Sequence, residues 1–246
     1  MRLVLLGTTG YHPNDLRQTA CLMLPEIGVV LDAGTGFYRV RDYLQTPTLD
    51  IYLTHAHLDH VIGLTYLFDV LHERPLERVT VWGDAAKLAA IQEHLLNETL
   101  FPAPLPCLYA PLCGPVDLPQ GGRLTYFPLE HPGGSLGYRF DWPSHSLAYV
   151  TDTTASPTAE YVSRIHGVDV LFHECYFPDG CEDLARRTGH SCTSAVAETA
   201  RAAGVGRLIL VHCNPLVSQP DPIDLPAAQR IFAHTVVAHD RMIVEF

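Results

Sequence analysis

Apolar and polar positions alternate along this chain in blocks of two kinds. Short apolar runs bounded by glycine, proline or aspartate, such as Leu3-Val4-Leu5-Leu6 and Val29-Val30-Leu31, predict buried β-strands. On this reading strands lie at 2–6, 21–24, 27–31, 49–53 and 79–82, and again at 123–127, 136–140, 147–151, 168–172, 207–211 and 242–246. Longer stretches with apolar residues three and four apart predict helices. One runs over 61–73, with Leu64, Leu67, Phe68 and Leu71 on a shared face, and a second follows Asp84, its N-cap, to residue 97. Further helices are expected at 157–166, with Pro157 in the first turn, at 191–203, stopped by Gly204, and at 225–235.

Strands feeding helices therefore occur twice. The pattern predicts one domain, 1–246, built of two similar halves, with two sheets packed face to face and helices outside. Residues 99–122 break the pattern. Pro102, Pro104, Pro106, Pro111, Pro115 and Pro119 exclude a regular helix or a central strand there. A functional loop and a static crossover both fit. Its apolar residues, among them Phe101, Leu105 and Leu108, predict a place at the rim of a site or in a subunit contact.

Composition narrows the function. Apolar residues make up 47% and charged residues 17%, enough for a sizeable core. The formal charge of -11 argues against general binding of long RNA or of an anionic membrane, both of which need basic surface. No apolar stretch approaches the length that spans a bilayer, and the N-terminal run reads as a first strand, not a leader. The seven cysteines are scattered without a Cys-x-x-Cys pair, against a disulfide framework or a cysteine zinc site. A cytoplasmic protein is expected.

The densest chemistry lies in Thr54-His55-Ala56-His57-Leu58-Asp59-His60, directly after an apolar strand. Residues two apart in an extended chain point to one side, so His55 and His57 can hold one cation together. Asp59 and His60 follow where the chain should turn, and can aim at a second. Imidazole with carboxylate suits zinc, and also manganese or iron. The segments Gly7-Thr8-Thr9-Gly10 and Asp32-Ala33-Gly34-Thr35-Gly36 match no P-loop spacing and fit a plain turn as well as a close approach to a ligand.

The His-x-His-x-Asp-His run resembles the signature of metallo-β-lactamase-fold hydrolases. The likeness continues in order down the chain, through Glu130-His131-Pro132, Thr151-Asp152-Thr153 and Leu210-Val211-His212-Cys213-Asn214, and the early Leu6-Gly7-Thr8 and Leu31-Asp32-Ala33-Gly34-Thr35-Gly36 stretches are similar too. It implies an α/β fold of the four-layer αββα sandwich type, metallo-β-lactamase-like. It also implies two divalent metal ions. The first would take His55, His57, His131 and Asp152, and the second Asp59, His60, His212 and the bridging Asp152. Two such ions ~3.5–4 Å apart can share a hydroxide as nucleophile. Asp59 is thereby counted among the catalytic residues as well as the ligands.

Two further motifs resemble those of ribonuclease Z: Phe172-His173-Glu174-Cys175-Tyr176-Phe177 and Gly189-His190-Ser191-Cys192. In that branch the glutamate and the second histidine act near the leaving group. Glu174 and His190 thus become candidates for proton delivery, since a carboxylate bonded to an imidazole raises its pKa and fixes its tautomer. For His173 a role beside the pair and simple packing are both open. The long Gly-Pro-rich arm with which ribonuclease Z grips transfer RNA has no counterpart between His131 and Asp152. Cyclic phosphodiesterases of the fold share the motifs without the arm.

The expected activity is hydrolysis of a small or cyclic phosphodiester by a metal-bridging hydroxide. Alternatives are a ribonuclease Z-like RNA endonuclease, an ester, thioester or lactone hydrolase, and, least, a non-catalytic binding module. A homodimer is what the family likeness suggests. The remaining histidines, His12, His72, His94, His145, His166, His234 and His239, show no metal spacing.

Overall fold

A computed structural model of the chain describes residues 1–217, 219 and 221–246. Its strands are β1 (Arg2–Gly7), β2 (Cys21–Leu24), β3 (Val29–Leu31), β4 (Thr48–Tyr52), β5 (Arg78–Gly83), β6 (Leu108–Pro111), β7 (Val116–Leu118), β8 (Gly122–Leu129), β9 (Ser135–Asp141), β10 (Ser146–Val150), β11 (Val170–Glu174), β12 (Arg207–Val211), β13 (Thr235–Val237) and β14 (Ile243–Glu245). Among the described residues they form two seven-stranded sheets. The first belongs to a unit made of Met1–Cys113 and Asp240–Glu245, the second to a unit made of Gly114–His239 and Phe246.

The first sheet runs β14-β1-β2-β3-β4-β5-β6 and the second β13-β12-β11-β10-β9-β8-β7. Both are half antiparallel and half parallel. In the first, β14 to β3 pair antiparallel and β3 to β6 parallel. In the second, β7 to β10 pair antiparallel and β10 to β13 parallel. Neighbouring parallel strands end on the same edge of their sheet, so the segments that leave them are gathered there. That edge receives Asp32 and residues 54–60 in the first unit, and Asp152, Glu174 and His212 in the second.

The cores explain the strand pattern. In the first unit Leu64, Leu67 and Val70 share a buried cluster with Val30, Ile51 and Val81. In the second, Val196, Ala197 and Ala200 of the helix Thr193–Ala203 are clustered with Val150, Leu171, Leu208 and Leu210. Full burial of each such leucine or valine contributes about 1.5–3 kcal/mol. No helix among the described residues is long and apolar enough to cross a membrane.

Several elements differ from the pattern reading. The helix expected at 61–73 is broken into Leu58–Val61, a 3-10 turn at Ile62–Tyr66, and Leu67–Leu71. The cause is Gly63, whose N–H donates to Ala33 O at 2.7 Å instead of continuing the helix ladder. At 157–166 only a 3-10 turn, Glu160–Ser163, forms, because Ala159 N–H closes a turn on Ser156 O across Pro157. A helix forms at Glu182–Thr188 where the pattern predicts none, because it lacks an apolar stripe: only Ala185 of it is buried. Within 99–122 the chain forms β6 and β7, both edge strands, where proline costs no ladder bond. Phe101 stacks on Phe68 in the first unit, ring centroids 6.2 Å apart.

His173 proves to be a core residue. It is fully buried on β11, its Nδ1–H donating to Glu174 O at 2.7 Å and its Nε2 accepting from the Tyr161 hydroxyl at 2.9 Å. Burial pushes the imidazole below its ordinary value, against the smaller opposing pull of the Glu174 carbonyl and charge. The unfolded chain takes up a proton here near pH 6.5 while the native chain does not. Stability is therefore complete above that pH and falls as pH drops below it. In the metal-free protein, the urea midpoint is expected to decline between pH 7 and 5, and to decline less steeply in His173→Gln. Equal slopes would assign the acid sensitivity to other groups.

Candidate metal centre

In the first unit, β4 delivers the chain through Leu53 into the histidine cluster. His57 is extended and caps the helix Leu58–Val61, which puts Asp59 and His60 on the first helical turn. The His55 ring centroid lies 4.5 Å from that of His57 and 4.2 Å from that of His60. Asp59 Oδ2 lies 3.4 Å from His60 Nε2 and accepts the Tyr11 N–H at 2.7 Å. His55 and His60 are buried, and His57 is exposed.

Asp32 holds this cluster in place. It is fully buried and adopts a left-handed backbone at φ 57°. Its Oδ1 accepts the Thr54 N–H at 2.8 Å and the Thr54 hydroxyl at 2.9 Å, and its Oδ2 accepts His60 Nδ1–H at 2.8 Å. With its proton committed to Asp32, Thr54 Oγ1 accepts from His55 Nδ1–H at 3.0 Å. One carboxylate thus fixes both tautomers and puts the ring lone pairs of His55 and His60 on Nε2. The glycines nearby permit the approach: a Cβ on Gly34 would meet Asp59 O at 2.2 Å, and one on Gly63 would meet Gly34 O at 2.2 Å. Asp32→Asn is expected to weaken metal binding about 10–100-fold, measured by competition with a chromophoric chelator. Unchanged affinity would reduce Asp32 to a turn residue.

The second unit carries the other candidates. His131, following β8, donates Nδ1–H to Gly189 O at 2.9 Å, which leaves Nε2 as its donor atom. Gly189 stands at φ 74°, and a Cβ there would lie 2.8 Å from His131 Nδ1. Asp152 and His212 both leave their strands with left-handed backbone, φ 52° and 56°. Such strain in non-glycine residues persists only where the surroundings enforce it. Asp152 Oδ2 lies 3.6 Å from His131 Nε2, and Oδ1 lies 3.2 Å from His212 Nε2. Asp152, His190 and His212 each present a ligand atom within 4.8 Å of the others.

Glu174 and His190 meet as the motifs implied. His190 Nδ1–H donates to Glu174 Oε1 at 3.0 Å. The same oxygen accepts the Thr153 N–H at 2.9 Å, and Oε2 accepts the Ser191 N–H at 3.2 Å. Glu174 is fully buried, and the His190 side chain is 14% exposed. Tyr176 stacks on the His190 ring at 4.7 Å, which in turn lies 5.4 Å from the His212 ring. Sequence reasoning missed Asp32 and Tyr176 as supports. The stretch around Asp32 resembles the family and also fits a plain turn, but neither marks its carboxylate as a support, and Tyr176 gives no signal of its own.

The donor set in each unit, imidazoles oriented by carboxylate or carbonyl acceptors with further carboxylates beside them, fits divalent transition metals. Residues 28–213 match the model of the beta-lactamase superfamily domain. The chain belongs to this superfamily. It is a metallo-β-lactamase-fold, metal-dependent hydrolase of the ribonuclease Z branch. Ribonuclease Z of Methanothermobacter thermautotrophicus is 39% identical over 303 aligned positions, covering 100% of this chain and 96% of the relative. Since the chain has 246 residues, that relative carries segments this superfamily member lacks. The metallo-β-lactamase fold protein YhfI of Bacillus subtilis is 18% identical with a TM-score of 0.82, covering 100% and 99% of the two chains. A diphosphatase from the PhnP family is 20% identical with a TM-score of 0.74, covering 100% and 97%. The α/β metallo-β-lactamase-like fold expected from the motifs is borne out.

Proposed function

We propose that this hydrolase cleaves small or cyclic phosphodiesters with two divalent metal ions, zinc or in its place manganese or iron. His55, His57, Asp59 and His60 of the first unit and His131, Asp152 and His212 of the second would hold them, with Asp152 shared. Family membership and the oriented Nε2 atoms support this assignment. Such ions, when bound, lower the pKa of water and neutralise charge on phosphoryl oxygens. The protein's own part is positioning and proton delivery. Asp32 and Gly189 hold imidazoles in one tautomer, and Glu174 holds His190 with Nε2 directed away from the carboxylate. A proton on that Nε2 can pass to the departing alkoxide.

The observation that carries the reading is the Glu174–His190 pair set beside Asp152 and His212. A phosphodiester's alkoxide leaving group needs such an acid, whereas a thiolate does not. The formal charge of -11, and the segments that the ribonuclease Z relative has in addition, support a small substrate over a long RNA. A second reading, an RNA endonuclease, is favoured by the 39% identity to that relative.

The test is a substrate panel on metal-loaded protein: bis(p-nitrophenyl) phosphate, a cyclic nucleotide, precursor transfer RNA, a thioester and a lactone. Hydrolysis of the first two with poor processing of the RNA is expected. Efficient transfer-RNA 3′ trimming selects the endonuclease. Thioester or lactone turnover without any phosphodiesterase activity defeats both.

A further inference from the structure

Asp59 stands where its neighbour His60 opposes it. Asp59 Oδ2 lies 3.4 Å from His60 Nε2, and the Asp59 side chain is 10% exposed. His60 gives its Nδ1–H to Asp32, so its Nε2 carries a lone pair. Two acceptors at that distance repel each other unless a cation lies between them. A hold from elsewhere is needed, and the Tyr11 N–H supplies one, donating to Oδ2 at 2.7 Å from 48 positions earlier in the chain.

A strained turn aims that amide. The His12 N–H closes on Gly10 O at 2.8 Å, with Tyr11 at the centre of the turn at φ 61°. This is the rare form of a three-residue turn, and a bulky residue seldom adopts it. Such strain persists only where the surroundings over-determine it. The Tyr11 side chain does not enforce it by packing, because the residue is 76% exposed.

The enforcement comes from the base of the loop. Thr8 N–H and Thr9 N–H both donate to Gln18 O, at 2.9 and 3.0 Å, which closes residues 8–18 into a strap. Asp240 clamps the closure. Its Oδ1 accepts the Thr8 hydroxyl at 2.7 Å, and its Oδ2 accepts the Gln18 N–H at 2.7 Å and the Arg39 guanidinium. Asp240 and Arg39 expose only 8% and 12% of their side chains, so this charge-assisted bond is little weakened by water. Beyond the closure, Thr19 N–H donates to Thr35 Oγ1 at 2.9 Å and Thr35 N–H to Thr19 Oγ1 at 2.7 Å. That exchange joins the strap to the turn that follows Asp32.

We propose that residues 8–18 are a strap that positions Asp59, with the Tyr11 N–H as its contact and Asp240 as its anchor. Tyr11 and Asp240 are then positioning residues for the second cation, a consequence that rests on the two-metal reading and deepens it.

The test removes the contact and the anchor separately. Inserting the α-hydroxy analogue of tyrosine at position 11 replaces the N–H with an ester oxygen and keeps the ring. Protein with tyrosine inserted by the same route is the control. Asp240→Ala removes the anchor. Cobalt(II) is titrated into each metal-free protein and followed by its d–d absorption. In the ester protein and in Asp240→Ala, one binding step is expected to weaken about tenfold, the effect of one hydrogen bond to a charged group, while the other step stays as in the control. Two unchanged steps in both proteins, or equal weakening of both steps in the ester protein, overturns the proposal. Circular dichroism checks the fold, and the ester protein alone decides if Asp240→Ala misfolds.

Amide exchange separates this outcome from the two-metal reading. The Tyr11–Asp59 bond lies in an exposed place, so the carboxylate is what protects the amide. In metal-free protein the Tyr11 N–H should exchange with deuterium about tenfold more slowly than in Asp59→Ala. Equal exchange in the two proteins overturns the strap whatever the metals do. Slowed exchange in a wild type that binds no cobalt defeats the two-metal reading and upholds the strap.

Discussion

Replacing Asp152 with Asn is expected to lower the proposed phosphodiesterase activity by about three orders of magnitude, since bound metals supply several kcal/mol of charge stabilisation and each 1.36 kcal/mol is tenfold in rate. Metal content should fall below two ions per chain. The reason is local. Asp152 Oδ1 faces His212 Nε2 at 3.2 Å and Oδ2 faces His131 Nε2 at 3.6 Å, so one carboxylate serves two imidazoles that point at different oxygens. The amide that replaces it offers one acceptor and an NH₂ group that cannot ligate, so one side of the pair loses its shared oxygen. Thr151 Oγ1, which donates to Oδ1 at 2.7 Å, keeps an acceptor in the variant, so the backbone turn at φ 52° should survive. Metal analysis with circular dichroism as a folding control checks this. Full activity with two metals retained would remove Asp152 from its proposed place.

How much of this was legible depended on whether chemistry sat next to regular backbone. His55, His57, Asp59 and His60 declared themselves because a buried strand ends directly before them and period-two geometry puts the first two side by side. Glu174 was marked by its motif, and it lies two residues beyond the expected strand end, as the last residue of β11. His190 was not reachable by pattern, since the helix ahead of it, Glu182–Thr188, buries only Ala185 and so shows no apolar period. Only its motif marked it. Asp32 was hidden in a different way. Its neighbours Ala33 and Gly34 advertise a turn, and nothing local says that the carboxylate reaches forward to Thr54 and His60. The break at Gly63 was equally non-local: apolar spacing across 61–73 is sound, but the amide of Gly63 bonds to Ala33, which lies 30 residues earlier. Local propensity yields where a tertiary partner offers a better acceptor.

His190→Ala is expected to slow hydrolysis of an alkyl phosphodiester about 10²–10⁴-fold, the usual contribution of a positioned acid. The same variant should slow bis(p-nitrophenyl) phosphate far less, because nitrophenolate departs without a proton. The contrast matters because the geometry offers His190 two roles. Its Nδ1 is bonded to Glu174, yet it also presents a ligand atom within 4.8 Å of those of Asp152 and His212. A metal ligand and a proton donor both need Nε2, but they fail differently. Loss of a ligand lowers metal content and harms every substrate alike. Loss of an acid leaves two metals bound and harms substrates in proportion to the basicity of their leaving groups. Glu174→Gln supplies the second arm. Glu174 touches no reacting atom and acts by fixing His190, so its removal should reproduce the leaving-group dependence in weaker form. Gln keeps one acceptor for the three donors that now share the carboxylate, Thr153 N–H, Ser191 N–H and His190 Nδ1–H. A steeper dependence on leaving-group pKa in both variants, at unchanged metal content, is the signature of the acid. Parallel losses on good and poor leaving groups, accompanied by loss of metal, would make His190 a ligand instead.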